Sequence, residues 1–265
     1  MNAVRIFKDL LSFLTIIPLA KDESFLETSA RYMFLFPLIG AIIGLLASAY
    51  FYFCVYLLSL IFSVLNAFFA IPENLFVRVF SSGITLSFLL VLTGLQHFDG
   101  LVDVGNVLGL KTLEEREFVA HAWIVTYKGV FLAVFVEFLT FLGIFLLNLN
   151  FAFKALICAE VSAKLAMVTV VWVGKPAHEG KGALFARINS KRKINFMAYA
   201  FSFLITLPLL GLLSLVLILL SLSLGVFMEF ISERLFGRVS GDILGATNEI
   251  ARTICLLLIA VMVIS

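Results

Sequence analysis

Charge is scarce in this sequence: Asp, Glu, Lys and Arg make up 14% of its 265 residues, while 62% are hydrophobic. A soluble domain carries roughly a quarter charged residues, so the shortfall excludes an ordinary water-soluble protein and makes lipid the main solvent. The net charge of +2 leaves no basic excess for nucleic acid. Cysteine is also sparse. Cys54, Cys158 and Cys255 all fall inside apolar segments, without metal-ligand spacing or a disulfide role, and read as small buried hydrophobes. The first twenty residues contain Arg5 and Lys8 but lack a small-residue cleavage site, so no cleavable signal is expected. No linker, repeat or low-complexity tract divides the chain, and residues 1–265 read as one domain. Period-2 alternation is missing too, which argues against a β-barrel.

What the sequence does contain is a series of apolar runs of about 18 residues or more, each long enough to cross a hydrocarbon core of roughly 30 Å as a self-satisfied helix. Residues 4–19, ending near Pro18, read as a short interfacial helix. One long or kinked helix is expected over about 32–64, with 65–77 on the far side. Further spans are expected near 78–97, 129–150, 151–173, 195–212, 213–231 and 250–265. The result is an all-α, seven-span bundle. Lys111, Arg116 and Lys128, then Lys175 to Lys193, then Arg234 and Arg238 fall in loops separated by pairs of spans. The positive-inside rule makes that side cytoplasmic, in a multi-pass protein of the cell membrane.

The most informative segment runs from Thr93 to Asn106. Asp99 and Asp103 are four residues apart and share a helix face, with Asn106 three residues further on. Two carboxylates and an amide oxygen at the bilayer edge suit Mg²⁺ bridging substrate phosphates, although Asp99 as a helix cap and Asp103 as a solvated residue is the plain structural alternative. Glycines at 94, 100 and 105 permit close approach by a bulky ligand. Asp242 and Glu249, seven residues apart, also share a face; they can orient ligands or hold a second metal, or Asp242 can cap the final helix. Within the spans, Glu160 and Lys164 are expected to pair at i, i+4, and Glu137 to face the bundle interior.

His97-Phe98-Asp99-Gly100-Leu101-Val102-Asp103 resembles the H-x-D-G-L-x-D signature of the cobalamin synthase family, the adenosylcobinamide-GDP ribazoletransferases. Ser12-Phe13-Leu14-Thr15 with Pro18 is similar to that family's S-F-x-T-x-x-P, and Arg31 with Phe36 to Gly40 and Gly44 to its R-x5-F-P-L-I-G-x3-G. Ser240 to Ala246 with Glu249 resembles T-G-D-x-L-G-A-x3-E, and Glu179-Gly180-Lys181-Gly182 more loosely an E-G-x-G loop. The resemblance spans nearly the whole chain. It implies an integral membrane enzyme that joins adenosylcobinamide-GDP to α-ribazole or its 5′-phosphate and releases GMP with Mg²⁺. In that reading Asp99, Asp103 and His97 are catalytic, and Asp99, Asp103 and Asn106 hold the metal. Gly100, Asn106, Lys128, Glu179, Lys181, Asp242 and Glu249 face substrate. Membrane lipid, other cobalamin-assembly enzymes and further copies of the chain are the expected neighbours.

The sequence also departs from the family pattern. Asn106 stands where the family usually has an aspartate, Ala122 and Ile124 where it has an aspartate and an arginine, and Ile16 where T-R-I-P has its arginine. These departures keep open a non-catalytic paralogue that binds a corrinoid intermediate or partner enzymes. A CDP-alcohol phosphotransferase is disfavoured because Val102 is followed by Asp103 rather than Ala-Arg. A transporter lacks the matched pair of broken helices.

Overall fold

The computed structural model describes residues 2–20, 22, 24–122, 124–176 and 180–264. Among them the regular structure is helical: α1 (Ala3–Leu14), α2 (Phe25–Arg31), α3 (Phe36–Asn66), α4 (Glu73–Leu92), α5 (Gln96–Val107), α6 (Leu113–His121), α7 (Tyr127–Leu146), α8 (Leu149–Val173), α9 (Lys181–Asn189), α10 (Phe196–Leu210), α11 (Leu213–Phe236) and α12 (Gly241–Ile264). Seven of these, α3, α4, α7, α8, α10, α11 and α12, are long and apolar enough to cross a membrane. The protein is therefore an all-α, multi-pass bundle. The long first span is one continuous helix of 31 residues opened by Pro37, whose fixed φ suits a helix start. It extends about 46 Å, well beyond the hydrocarbon thickness. The N-terminal helix α1 is amphipathic: Leu10, Leu11 and Leu14 pack inward, and Val4 and Phe7 lie on the surface.

Several boundaries differ from the sequence expectation, among them α4 beginning at Glu73, α7 ending at Leu146 and α11 ending at Phe236; three others have a local reason. The 78–97 span ends at Leu92, because Gly94 (φ 67°) and Leu95 (φ 58°) adopt the left-handed conformation and break the helix before α5. The 151–173 span begins at Leu149, where the Asn148 side chain accepts from the Asn150 amide at 3.0 Å. The final span begins at Gly241 rather than 250. Its polar residues Asn248, Glu249 and Arg252 are all fully buried, so they face partners and not lipid.

The most buried helix is α8, which packs against α3, α10, α11 and α12. Contact with α3 depends on small residues: a Cβ at Gly40 would lie 2.6 Å from the Glu160 carbonyl oxygen, and one at Gly44 2.5 Å from the Ile157 Cα. Sequential spans form antiparallel hairpins. The starts of α3, α7, α10 and α12 therefore share one end of the bundle with the ends of α4, α8 and α11. The short helices α1, α2, α5, α6 and α9 gather at this end. The Ile16 amide donates to the Leu92 carbonyl at 2.8 Å, and Arg192 Nη1 to the Arg31 carbonyl at 2.7 Å, tying α1 and α2 to the spans. At the opposite end Arg78 donates to the Leu147 carbonyl at 2.7 Å, a cation at the C-terminus of α7.

Candidate functional site

A cavity of about 280 Å³ opens at the end where the short helices gather. From α5 it receives Gln96, His97 and Asp99, and from α12 it receives Asp242 and Leu244. Phe13 of α1, Met167 of α8 and Phe185 of α9 complete its apolar side. The two acidic helices lie antiparallel at backbone distance. A Cβ at Gly100 would sit 2.5 Å from the Asp242 carbonyl oxygen, and one at Gly245 3.1 Å from the His97 Cα. Gly100 thus serves helix contact rather than ligand contact, and it brings Asp99 and Asp242, remote in sequence, into one cavity.

Asp99 is exposed, and its carboxylate makes no hydrogen bond or ion pair with any described residue. Asp103 follows one turn later on the same face, half-buried and outside the cavity lining, where it accepts from Asn106 Nδ2 at 3.4 Å. Asn106 is buried, and its groups are spent on the chain itself. Its Oδ1 accepts from the Thr126 amide at 2.8 Å and from the Thr126 hydroxyl at 3.0 Å, and its Nδ2 donates to the Ile124 carbonyl at 2.8 Å. Both lone pairs of that oxygen are occupied, so Asn106 latches the 124–126 segment onto α5 and has no oxygen to offer a metal or substrate. Lys128 is likewise engaged: its Nζ donates to the Leu108 carbonyl at 2.8 Å just past the end of α5. Lys181 opens α9, and Glu179 lies outside the described residues. Among the departures from the family pattern, Ile16 and Ile124 are exposed and Ala122 is half-buried at the end of α6.

Behind the cavity lies a set of charged groups buried in the bundle. Arg252 is fully buried on α12 and pairs with Glu249, with Glu160 of α8 at 3.4 Å and with Glu137 of α7 at 3.5 Å. Lys164 Nζ donates to Glu160 at 3.0 Å and to Asn248 Oδ1 at 2.7 Å, while Asn248 Nδ2 donates to Glu249 at 3.0 Å. The expected Glu160–Lys164 pair and the inward-facing Glu137 are both present. Glu249 is fully buried and does not line the cavity. It lies behind His97, with its Oε1 3.7 Å from Nδ1, beyond hydrogen-bond distance. Burial drives the His97 imidazole well below its ordinary pKa, with the Lys164 and Arg252 cations adding to the effect, so His97 is neutral. Isolated charges at this depth would be costly. Pairing and hydrogen bonding make them tolerable and tie α5, α7, α8 and α12 into one arrangement.

The cavity residues that sequence reasoning did not assign to the site are Phe13, Gln96, Met167, Phe185 and Leu244, with the glycines at 182, 241 and 245, together with Arg252 behind them. Phe13 sits inside the S-F-x-T segment, and an arginine within an expected span was the signal for Arg252.

Fold and cavity together define a multi-pass helical membrane protein with a carboxylate-lined pocket at one end of its bundle. The chain belongs to the cobalamin-5-phosphate synthase family, whose model matches residues 6–260. Similar relatives include the adenosylcobinamide-GDP ribazoletransferase of Methanocella arvoryzae, 33% identical over 65% of this chain and 71% of its own length. That of Halorubrum lacusprofundi is 31% identical over 93% of each chain. That of Methanosarcina barkeri is 26% identical over 97% of this chain and 91% of its own. No solved structure matches the chain.

Proposed function

We propose that this protein is an adenosylcobinamide-GDP ribazoletransferase, a membrane enzyme that completes the nucleotide loop of cobalamin. The single observation that carries this reading to the cavity is the exposed Asp99 carboxylate, unpaired among the described residues and sharing one cavity with Asp242, inside a protein of this family. In the reaction a ribose hydroxyl of α-ribazole, or of its 5′-phosphate, attacks the phosphorus joined to cobinamide. A new P–O bond forms, the P–O bond to GMP breaks, and the hydroxyl proton is taken up by a base.

Mg²⁺ fits the donor set. It is a hard cation that keeps several waters and needs only one or two carboxylates beside substrate phosphates. Asp99 would hold it, with Asp103 one turn away in support, and Asn106 takes no part. When bound, Mg²⁺ supplies positive charge against the negative charge that grows on the pyrophosphate oxygens. Asp242, on the other acidic helix, accepts the hydroxyl proton at its carboxylate. Neutral His97, buried at the start of α5, packs the helix end that carries Asp99. The basic character of the segments at the cavity end supports a cytoplasmic site in the cell membrane.

The test is product formation from adenosylcobinamide-GDP and α-ribazole by purified protein. Cobalamin and GMP should appear together, cease with EDTA and return with Mg²⁺. A protein that binds the corrinoid yet forms no product under any of these conditions would instead be the non-catalytic paralogue.

A further inference from the structure

The cavity has two chemically different sides. The α5 and α12 side carries Asp99, Asp242 and Gln96, whereas Phe13, Met167 and Phe185 contribute no N–H or O–H group. The apolar side is also stiff: Phe13 stacks on Phe185 with ring centroids 4.8 Å apart, and Phe36 braces both from 5.9 and 6.0 Å. Size is the second constraint. A volume of about 280 Å³ accommodates a bicyclic base with its ribose, whereas a corrin macrocycle is several times too large.

Resting on the transferase reading above, we infer that this cavity is the subsite for the acceptor nucleoside, with its flat bicyclic base against half-buried Phe13, which Met167 and Phe185 back from beneath, and its ribose toward Asp99 and Asp242. The corrinoid then remains outside, presenting only its pyrophosphate at the cavity mouth. Two bicyclic bases occur in the reaction, the benzimidazole of α-ribazole and the guanine of the donor. The apolar wall distinguishes them. A dimethylbenzimidazole edge has no exocyclic donor or acceptor, so it loses nothing against phenylalanine and methionine. With Asp99 committed to Mg²⁺ and Asp242 to the ribose hydroxyl, guanine would have only Gln96 to meet its amino, ring N–H and carbonyl groups, a form of discrimination that polar mismatch makes strong. Phe13 is accordingly the residue that sets base specificity, with Met167 and Phe185 buried behind it.

The experiment uses the full-length protein in lipid nanodiscs with Phe13→Ala, and Phe13→Leu as the variant that retains most of the packing. The KM for α-ribazole should rise about tenfold in Phe13→Ala, the loss expected from one aromatic contact, with the KM for adenosylcobinamide-GDP within about twofold of wild type. Equilibrium binding of α-ribazole alone should weaken in parallel and should not be displaced by GMP. A rise confined to the donor KM, an unchanged acceptor KM in both variants, or displacement of α-ribazole by GMP would overturn the assignment. Wild-type protein that binds α-ribazole in this manner yet forms no product would support the subsite and overturn the transferase reading alone.

Discussion

Asn106 shows how one side chain can carry opposite readings in sequence and in space. Its spacing from Asp99 and Asp103 made it a metal ligand, and the resemblance made it a lost aspartate. Instead its amide satisfies the Ile124 carbonyl and the Thr126 amide, a two-sided latch that only an Asn or Gln head group can make. Restoring aspartate should therefore harm the protein. Asn106→Asp sets a carboxylate oxygen against the Ile124 carbonyl and removes a buried hydrogen bond, at an expected cost of about 1–3 kcal/mol. Thermal unfolding in detergent checks this, and the prediction includes no gain in turnover. Lys128 carries the same lesson: the sequence shows an available cation, but the Leu108 carbonyl already holds it.

At the scale of elements, the positions of the spans were legible because their signal is long and redundant. Runs of apolar residues mark α3, α4, α7, α8, α10 and α11 whatever the details of packing. The start of α12 was not legible. Nothing in a single sequence tells that Asn248, Glu249 and Arg252 meet Glu137, Glu160 and Lys164, which lie 84 to 115 residues earlier. For the same reason the candidate site was half visible. Its carboxylates announce themselves by type and spacing, but its apolar side comes from α1, α8 and α9, where phenylalanine and methionine look like any other hydrophobic residue. Arg252 gives this scale its prediction. Replacing it with Met leaves Glu137, Glu160 and Glu249 without their shared cation, which should cost about 3–5 kcal/mol. Thermal unfolding of the purified variant measures it. Removing the charge of Glu137 as well, in Arg252→Met/Glu137→Gln, should recover part of that loss.

For the whole molecule, the odd number of spans sets the two termini on opposite sides, with α1 at the cavity end and the end of α12 away from it. On the proposed reading, the basic loops at the cavity end turn that face toward the cytoplasm. A cysteine introduced at Ser24 is expected to react with a membrane-impermeant maleimide only after the cytoplasmic face is opened. The native Cys54, Cys158 and Cys255 are buried and contribute little background. Labelling of Ser24→Cys in intact cells would reverse the orientation and move the site to the outside. The most direct measurement of the account is single-turnover product formation by Asp99→Asn beside wild type, with Mg²⁺, adenosylcobinamide-GDP and α-ribazole all saturating. Loss of that one unpaired carboxylate should slow the reaction on the order of 10²-fold or more while the protein remains folded; a folded variant reacting at the wild-type rate would contradict the placement of the chemistry in this cavity.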